Sequence, residues 1–409
     1  MEEYNQQGIQ FAIPKDKTEH LIKVIGVGGG GGNAVKSMYE KGVKNVSFAV
    51  CNTDSQALSK SPIPVRIQLG EEGLGVGGDP EKGRAAAEES MKDIELLFND
   101  ETQMVFLTAG LGGGTGTGAA PLIAKVAREK GLLTVGVVTL PFRFEKKARM
   151  EKALAGAEEM RKNVDALLVV SNERLLEIYN DSMLTIDEAF AKANDVLTVA
   201  TKTISEVITI EGIINRDFKD VETVMKDSGG AIMTVGYGSG EKRIIKAMKD
   251  ALDSPLLNTR DIEKAQRMLY VIYSCKEKPV GITELSELNE FMDTLSDDLL
   301  VLWGLYPDDT IGEQVKVAVV ATGFDKEREQ KKIAEETSEN VKRLWEIYYP
   351  NTKPATPDQS GTNASEGKPV GDGNDSRAKG MDMSKGWKEK GLTWFNSLKE
   401  FVKQSLEEE

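Results

Sequence analysis

TAGLGGGTGTGAAP, residues 108–121, is the stretch on which the reading of this chain turns. It follows the apolar run QMVF and precedes LIAKVAREK, whose apolar residues recur at helical spacing. Five glycines and two threonines fill Gly112 to Gly118, where a simple turn would need one or two glycines. Where a strand hands over to a helix, bare N–H groups and the helix start together make a site for an anion. Glycine lets the main chain approach oxygens that a Cβ would hold away, and Thr115 and Thr117 add hydroxyl donors. The spacing therefore predicts a phosphate cradle leading into an amphipathic helix that starts at Pro121.

The surrounding pattern supplies the sheet. LIKVIGVG (21–28), SFAVCNT (47–53), QMVFLTAG (103–110), LLTVGVVTLP (132–141) and ALLVVSN (166–172) are near-continuous apolar runs alternating with helical stretches. Such runs indicate a parallel sheet covered on both faces, a doubly wound α/β domain over residues 21–184. TIDEAFAKANDVLTVATKTISEVITIEG (185–212) follows, opened by the capping-box pair Thr185 and Glu188. Ile186, Phe190, Ala193, Leu197, Ala200, Ile204 and Ile208 repeat every three or four residues, which predicts a long central helix with one buried face. Four further strand-like runs, at 231–240, 267–275, 299–304 and 314–323, place a smaller α+β domain over 213–350.

Composition narrows the function. The chain has 409 residues, 40% of them hydrophobic and 29% charged, enough for two or three domains with sizeable cores. A net charge of −14 gives a nucleic-acid partner no electrostatic support. Cys51 and Cys275 sit far apart in apolar runs and read as buried thiols. The opening MEEYNQQGIQ has no signal-peptide pattern and no apolar run is long enough to insert across a membrane, so the expected location is the cytoplasm. Residues 1–20 read as a flexible tail. Asn351 to Gly386 has no Leu, Ile or aromatic residue and balances five basic against five acidic groups, the composition of a disordered linker.

A second glycine cluster, GVGGGGGNAV (26–35), follows the first strand and contains Gly26-x-Gly28-x-x-Gly31. Alone it suggests an NAD-dependent oxidoreductase with Asp54 as the ribose partner. One pyrophosphate does not need two glycine cradles, whereas a triphosphate has use for both. A third glycine-rich segment, EEGLGVGGDPEKGR (71–84), is placed to cover the terminal phosphate.

GGGTGTG at 112–118 resembles the signature loop of the tubulin/FtsZ superfamily. Six segments match the FtsZ family, the bacterial cell-division GTPases, in order and spacing: 26–35, NTDSQAL (52–58), 112–121, PFRFEKKAR (141–149), AFAKANDVL (189–197) and NRDFKDV (215–221). The resemblance implies a tubulin-like fold that binds GTP/GDP with Mg2+ and assigns no residue as a metal ligand. It implies that Gly28, Gly29, Gly30, Gly31 and Gly32 contact the α/β phosphates. Gly112, Gly113, Gly114, Thr115, Gly116, Thr117 and Gly118 would hold the β/γ phosphates, with Asn52 and Asp54 beside them. Glu145 and Arg149 would reach the ribose and phosphates, Phe190 would stack on the base, and Asn33 and Asn172 would complete the polar contacts. Asp195 suits guanine, because one carboxylate accepts from both N1–H and the exocyclic amine, and adenine offers no such donor pair. Taken singly, a Glu/Arg pair four apart is usually a surface ion pair, and Phe190 also fits the core stripe.

Asp217 and Asp220 follow the central helix, about 35 Å from the glycine loops at 1.5 Å per residue. On its own Asp217 reads as a helix cap. The resemblance implies instead that this loop completes the site of the next subunit, with Asp217 and Asp220 acting on the attacking water and Asn215 helping to place it. Head-to-tail contacts that do not close generate filaments, here forming a division ring at mid-cell beneath the inner membrane. The runner-up is a tubulin-like filament with another task, such as plasmid segregation. Three features depart from the family pattern: Lys219 stands where a small residue is usual, Asp79 where Asn is usual, and the end of the chain lacks the common terminal peptide. On a helix, Trp387, Trp394, Phe395, Leu398, Phe401, Val402 and Leu406 fall within about 140° of one another. Residues 387–409 are thus expected to dock on a membrane-anchoring adaptor.

Overall fold

The computed structural model describes residues 20–178, 185–214, 216–252, 265–292 and 299–324. The N-terminal tail, the linker at 351–386, the peptide at 387–409 and Asn215 lie outside the described residues.

Among the described residues, ten strands form one sheet in the order β3-β2-β1-β4-β5-β6-β7-β10-β8-β9. Its first half holds β1 (Ile22–Val27), β2 (Val46–Asn52), β3 (Val65–Gln68), β4 (Met104–Gly110), β5 (Leu133–Leu140) and β6 (Ala166–Ser171). All of these pair in parallel. β1 is buried along its whole length, because helices cover both faces, and its one charged residue, Lys23, pairs with Asp100 at 2.5 Å. The crossovers are α1 (Gly28–Glu40), α2 (Ser55–Ser59), α3 (Pro80–Glu89), α4 (Met91–Leu96), α5 (Thr115–Glu129) and α6 (Lys147–Asn163).

The helix after β6, α7 (Asn172–Ile178), precedes the long α8 (Ile186–Thr209), which opens with the Thr185/Glu188 capping box. Ala193, Leu197, Ala200 and Ile204 of α8 are buried in the core. Phe190 departs from this stripe: it is 41% exposed and meets Phe142 edge-on, with ring centroids 5.0 Å apart. Next come α9 (Phe218–Met225), β7 (Gly229–Gly238), α10 (Arg243–Leu252), β8 (Arg267–Ser274), α11 (Ile282–Met292), β9 (Leu300–Pro307) and β10 (Val315–Thr322). β10 runs antiparallel to both β7 and β8.

The second half is not a detached unit. β7 continues the parallel sheet through three residue pairs, Ala166–Gly229 to Leu168–Ala231. One core beneath α1, α8 and α9 runs without a break from Ile22 and Val24 of β1 to Ala318 and Val320 of β10. Cys51 and Cys275 are both buried and unpaired, and burial pushes the Cys51 thiol up to about 12. Among the described residues no helix is long and apolar enough to cross a membrane.

Two local expectations are corrected. α5 begins at Thr115, so Pro121 lies inside it, six residues past its start, rather than opening it. Gly28 enters α1 with a positive φ, and Gly29 to Gly32 form the first turn of that helix rather than a free loop.

Candidate nucleotide-binding site

α1 and α5 both start at the carboxyl edge of the parallel sheet, after β1 and β4, where open α/β folds bind ligands. The first four N–H groups of a helix have no intrahelical partner. Neither start has a side-chain cap, and neither first turn carries an acidic residue. The residues just before these helices, Val27 and Gly114, offer no side-chain oxygen to compete for those groups. The neighbouring α2 and α3 differ, being capped by Asp54 and Asp79. Two uncapped helix starts, each the positive end of a dipole, thus face the same region.

That region is a cavity of about 390 Å³. From α1 it is lined by Gly29, Gly30 and Asn33, and from the α5 start by Gly113, Gly114, Thr115 and Gly116. Glu145, Arg149, Asn172 and Phe190 complete the set of expected residues on its wall. Gly110, Leu111, Thr139, Pro141, Ala193 and Asn194 also line it, although the sequence assigned none of them a role in the site. Thr139 and Pro141 had a legible signal: Thr139 lies at the end of β5 and Pro141 just beyond it, level with the end of β4.

The glycines divide into two groups. Around Gly29, Gly32 and Gly113 a Cβ would meet nothing within 4 Å. Elsewhere protein backbone fills the space: a Cβ on Gly31 would lie 2.2 Å from the Thr108 carbonyl oxygen, and one on Gly118 would lie 1.9 Å from that of Pro80. Gly31 and Gly118 therefore have a packing reason to be glycine. Gly28 and Gly112 have positive φ, 70° and 95°, and each is also crowded, by Gly116 and by Arg149 respectively.

The hydroxyls and side chains are fixed by local bonds. Thr117 Oγ1 accepts from Gly112 N at 2.8 Å, which ties the loop to the helix it enters. The Thr115 hydroxyl lies 2.7 Å from that of Thr53. Asn52 is buried, and Asp54 spends one carboxylate oxygen on capping α2. Glu145 accepts from Phe142 N at 2.9 Å and pairs with Arg149 at 3.0 Å, so the ion pair is itself part of the wall. Asp195 is one residue beyond the lining Asn194, but its carboxylate is paired with Lys41, at the end of α1, outside the cavity wall. Asn172 differs from all of these. It is 4% exposed, lines the cavity, and its Oδ1 has no hydrogen-bond partner among the described residues. A buried acceptor left in this state is costly unless a ligand donor meets it.

Asp217 and Asp220 are elsewhere. They cap α9 reciprocally, Asp217 Oδ1 accepting from Asp220 N at 3.0 Å and Asp220 Oδ2 from Asp217 N at 3.3 Å. Asn194, on the cavity wall, and Thr209, the end of α8, are separated by about 22 Å of helix at 1.5 Å per residue. Lys219 is 77% exposed and paired with Glu222 at 2.6 Å, so it touches neither aspartate. Among the described residues no three acidic, His or Cys side chains gather to hold a metal. Mg2+ at nucleotide sites is held largely by phosphate oxygens and water, which this wall permits.

A family model described as the Tubulin/FtsZ family GTPase domain matches residues 21–180, and one for the FtsZ family C-terminal domain matches residues 229–325. The chain is 55% identical over 309 residues to the cell division protein FtsZ of Porphyromonas gingivalis, covering 75% of this chain and 67% of that one. An FtsZ dimer from M. jannaschii matches with a TM-score of 0.69 at 37% identity, over 76% of this chain and 90% of that one. The GTPγS-bound CetZ2 protofilament structure from Haloferax volcanii matches with a TM-score of 0.64 at 20% identity, over 80% and 98%, a likeness of fold alone. The chain belongs to the FtsZ family.

Two substitutions separate a ligand-facing role from a structural one. Asn172→Leu removes an unpaired buried acceptor, so thermal stability should hold or rise while affinity for a fluorescent GTP analogue falls by about 1–2 kcal/mol. Asp195→Ala should cost about 1.5–3 kcal/mol of GTP affinity and leave the weak binding of ATP unchanged. Wild-type protein that binds ATP and GTP equally, or an Asn172→Leu protein that binds GTP normally, would contradict these roles.

Proposed function

We propose that each GTP is hydrolysed at a junction between two subunits stacked head to tail, the cavity coming from one and Asp217 and Asp220 from the next. As an FtsZ the protein is a GTP-hydrolysing enzyme of cell division that assembles into filaments. One observation carries the shared-site reading: the uncapped helix starts and the carboxylate pair lie beyond opposite ends of the α8 segment between Asn194 and Thr209.

In this reading the open N–H groups at the α1 and α5 starts bind the phosphates, and Thr115, steadied by Thr53, donates to them. Asn172 accepts from the base, Phe190 stacks on it, and Asp195 leaves Lys41 to take the two guanine donors. Arg149 gives up part of its pairing with Glu145 to reach the phosphates. Mg2+, when bound, neutralises charge on the phosphate oxygens. Each aspartate spends one oxygen on the α9 cap, which fixes the other oxygen relative to the helix. Those free oxygens orient the attacking water and accept its proton, with Asn215 assisting.

A mixing experiment tests the shared site. Asp217→Ala should bind GTP like wild type and hydrolyse it poorly, and Thr115→Ala should bind GTP poorly. Mixed together they should recover part of the activity, because one sound junction forms between an intact cavity and an intact loop. A mixture no more active than its components would rule out a site split between subunits.

The filament is placed at the division site in the cytoplasm, at mid-cell beneath the inner membrane. The apolar face of residues 387–409 is proposed to lie in a groove of a membrane-anchoring adaptor. Four lysines against five glutamates in that segment give little attraction to anionic lipid on its own. Deleting residues 387–409 should leave GTPase activity and assembly within about twofold of wild type, as expected for a segment outside the catalytic machinery, and abolish recruitment of filaments to the membrane in cells. Loss of assembly by the truncated protein would place this segment in the folded body instead.

A further inference from the structure

The loop that carries Asp217 and Asp220 is anchored by a residue that belongs to neither the cavity nor the carboxylate pair. Tyr306, near the end of β9, is 1% exposed. Its hydroxyl donates to the Val207 carbonyl at 2.9 Å and accepts from Arg216 N at 2.9 Å. Val207 is in the last turn of α8, where carbonyls have no intrahelical partner. One oxygen therefore joins the end of the central helix to the residue just before Asp217.

The neighbourhood is shaped around this ring. Ile213 N donates to the Leu305 carbonyl at 2.8 Å and Leu305 N to that of Ile214 at 3.2 Å, so the connection lies against β9 as a short bridge. A Cβ on Gly212 would lie 2.9 Å from the Tyr306 ring, and one on Gly304 would lie 2.7 Å from it. The ring is thus enclosed on two sides by positions with no side chain. Arg216 is held at three points: its N–H by Tyr306, its Nε by the Trp303 carbonyl, and its Nη1 by Asp220 at 3.5 Å.

We propose that Tyr306 is a positioning residue for GTP hydrolysis. Acting through Arg216, its hydroxyl sets the angle at which Asp217 and Asp220 are presented to the nucleotide of the next subunit. The inference rests on the shared-site reading above. Tyr306 is not among the residues that line the cavity, so its loss acts on the loop a subunit offers and not on the cavity it holds.

Tyr306→Phe keeps the ring and removes only the oxygen. The variant should bind fluorescent GTP analogue as wild type does, while its turnover at saturating protein falls roughly tenfold, as expected for misplaced catalytic groups. Mixtures distinguish this from general damage. With Thr115→Ala, which offers a sound loop, Tyr306→Phe should recover activity; with Asp217→Ala, which offers a sound cavity but needs a sound loop, it should not. Arg216→Lys loosens the same anchor from its other end and should repeat this asymmetry, which provides the test if Tyr306→Phe melts early. Recovery in both mixtures, in neither, or full activity of both variants alone overturns the proposal. The mixture of Thr115→Ala with Asp217→Ala is the control. If it recovers while Tyr306→Phe behaves as wild type, the shared site stands and only the role of Tyr306 falls. If it does not recover, both fall together.

Discussion

Close approach of backbone to backbone at the carboxyl edge of the sheet is the constraint on which the site depends. α1 reaches β4 where Gly31 meets the Thr108 carbonyl, and α5 reaches the start of α3 where Gly118 meets that of Pro80. A methyl group at either place would overlap an oxygen, so the helices would have to move apart. With them in place, two uncapped helix starts open onto one cavity of about 390 Å³. A chain of net charge −14 thereby acquires a local site for anions from oriented peptide dipoles, with Arg149 the cationic side chain on its wall.

In the proposed shared site, α8 turns this local site into an assembly property. Its buried stripe packs on the core that runs under both halves of the sheet, so the helix acts as a rigid strut. At one end Ala193 and Asn194 reach the cavity wall, and beyond the other the Asp217/Asp220 box opens α9. A stiff element of this length keeps the carboxylates from folding back onto their own nucleotide. The cap that the sequence offers as the plain reading of Asp217 and the catalytic role proposed for it are compatible. Each carboxylate has two oxygens, and capping uses one of them.

Much of the first half was legible because its signals are local. Burial on both faces makes strands such as IKVIGV and MVFLTAG apolar apart from Lys23 and Thr108, and the Thr185/Glu188 box marks the start of α8 where it is found. β3 escaped notice: it is four residues at the sheet edge with Arg66 and Gln68 in it, too short and too polar to read as an apolar run. The joining of both halves into one sheet was also hidden, since it rests on three residue pairs between segments some sixty residues apart. Pro121 misled because proline usually opens a helix, whereas here six residues of α5 precede it. The pairing of Lys41 with Asp195 and the unpartnered oxygen of Asn172 both arise from tertiary placement. No spacing in the sequence expresses them.

The central claim is that one folded chain holds only part of the hydrolytic site. Its most direct test is GTP turnover per subunit, measured at saturating GTP and Mg2+ over a dilution series that passes below the threshold for assembly by light scattering. Turnover per subunit should climb with protein concentration and fall toward zero once junctions no longer form, while GTP stays bound. A turnover that remains constant down to dilute monomer would show that the site is complete within a single chain.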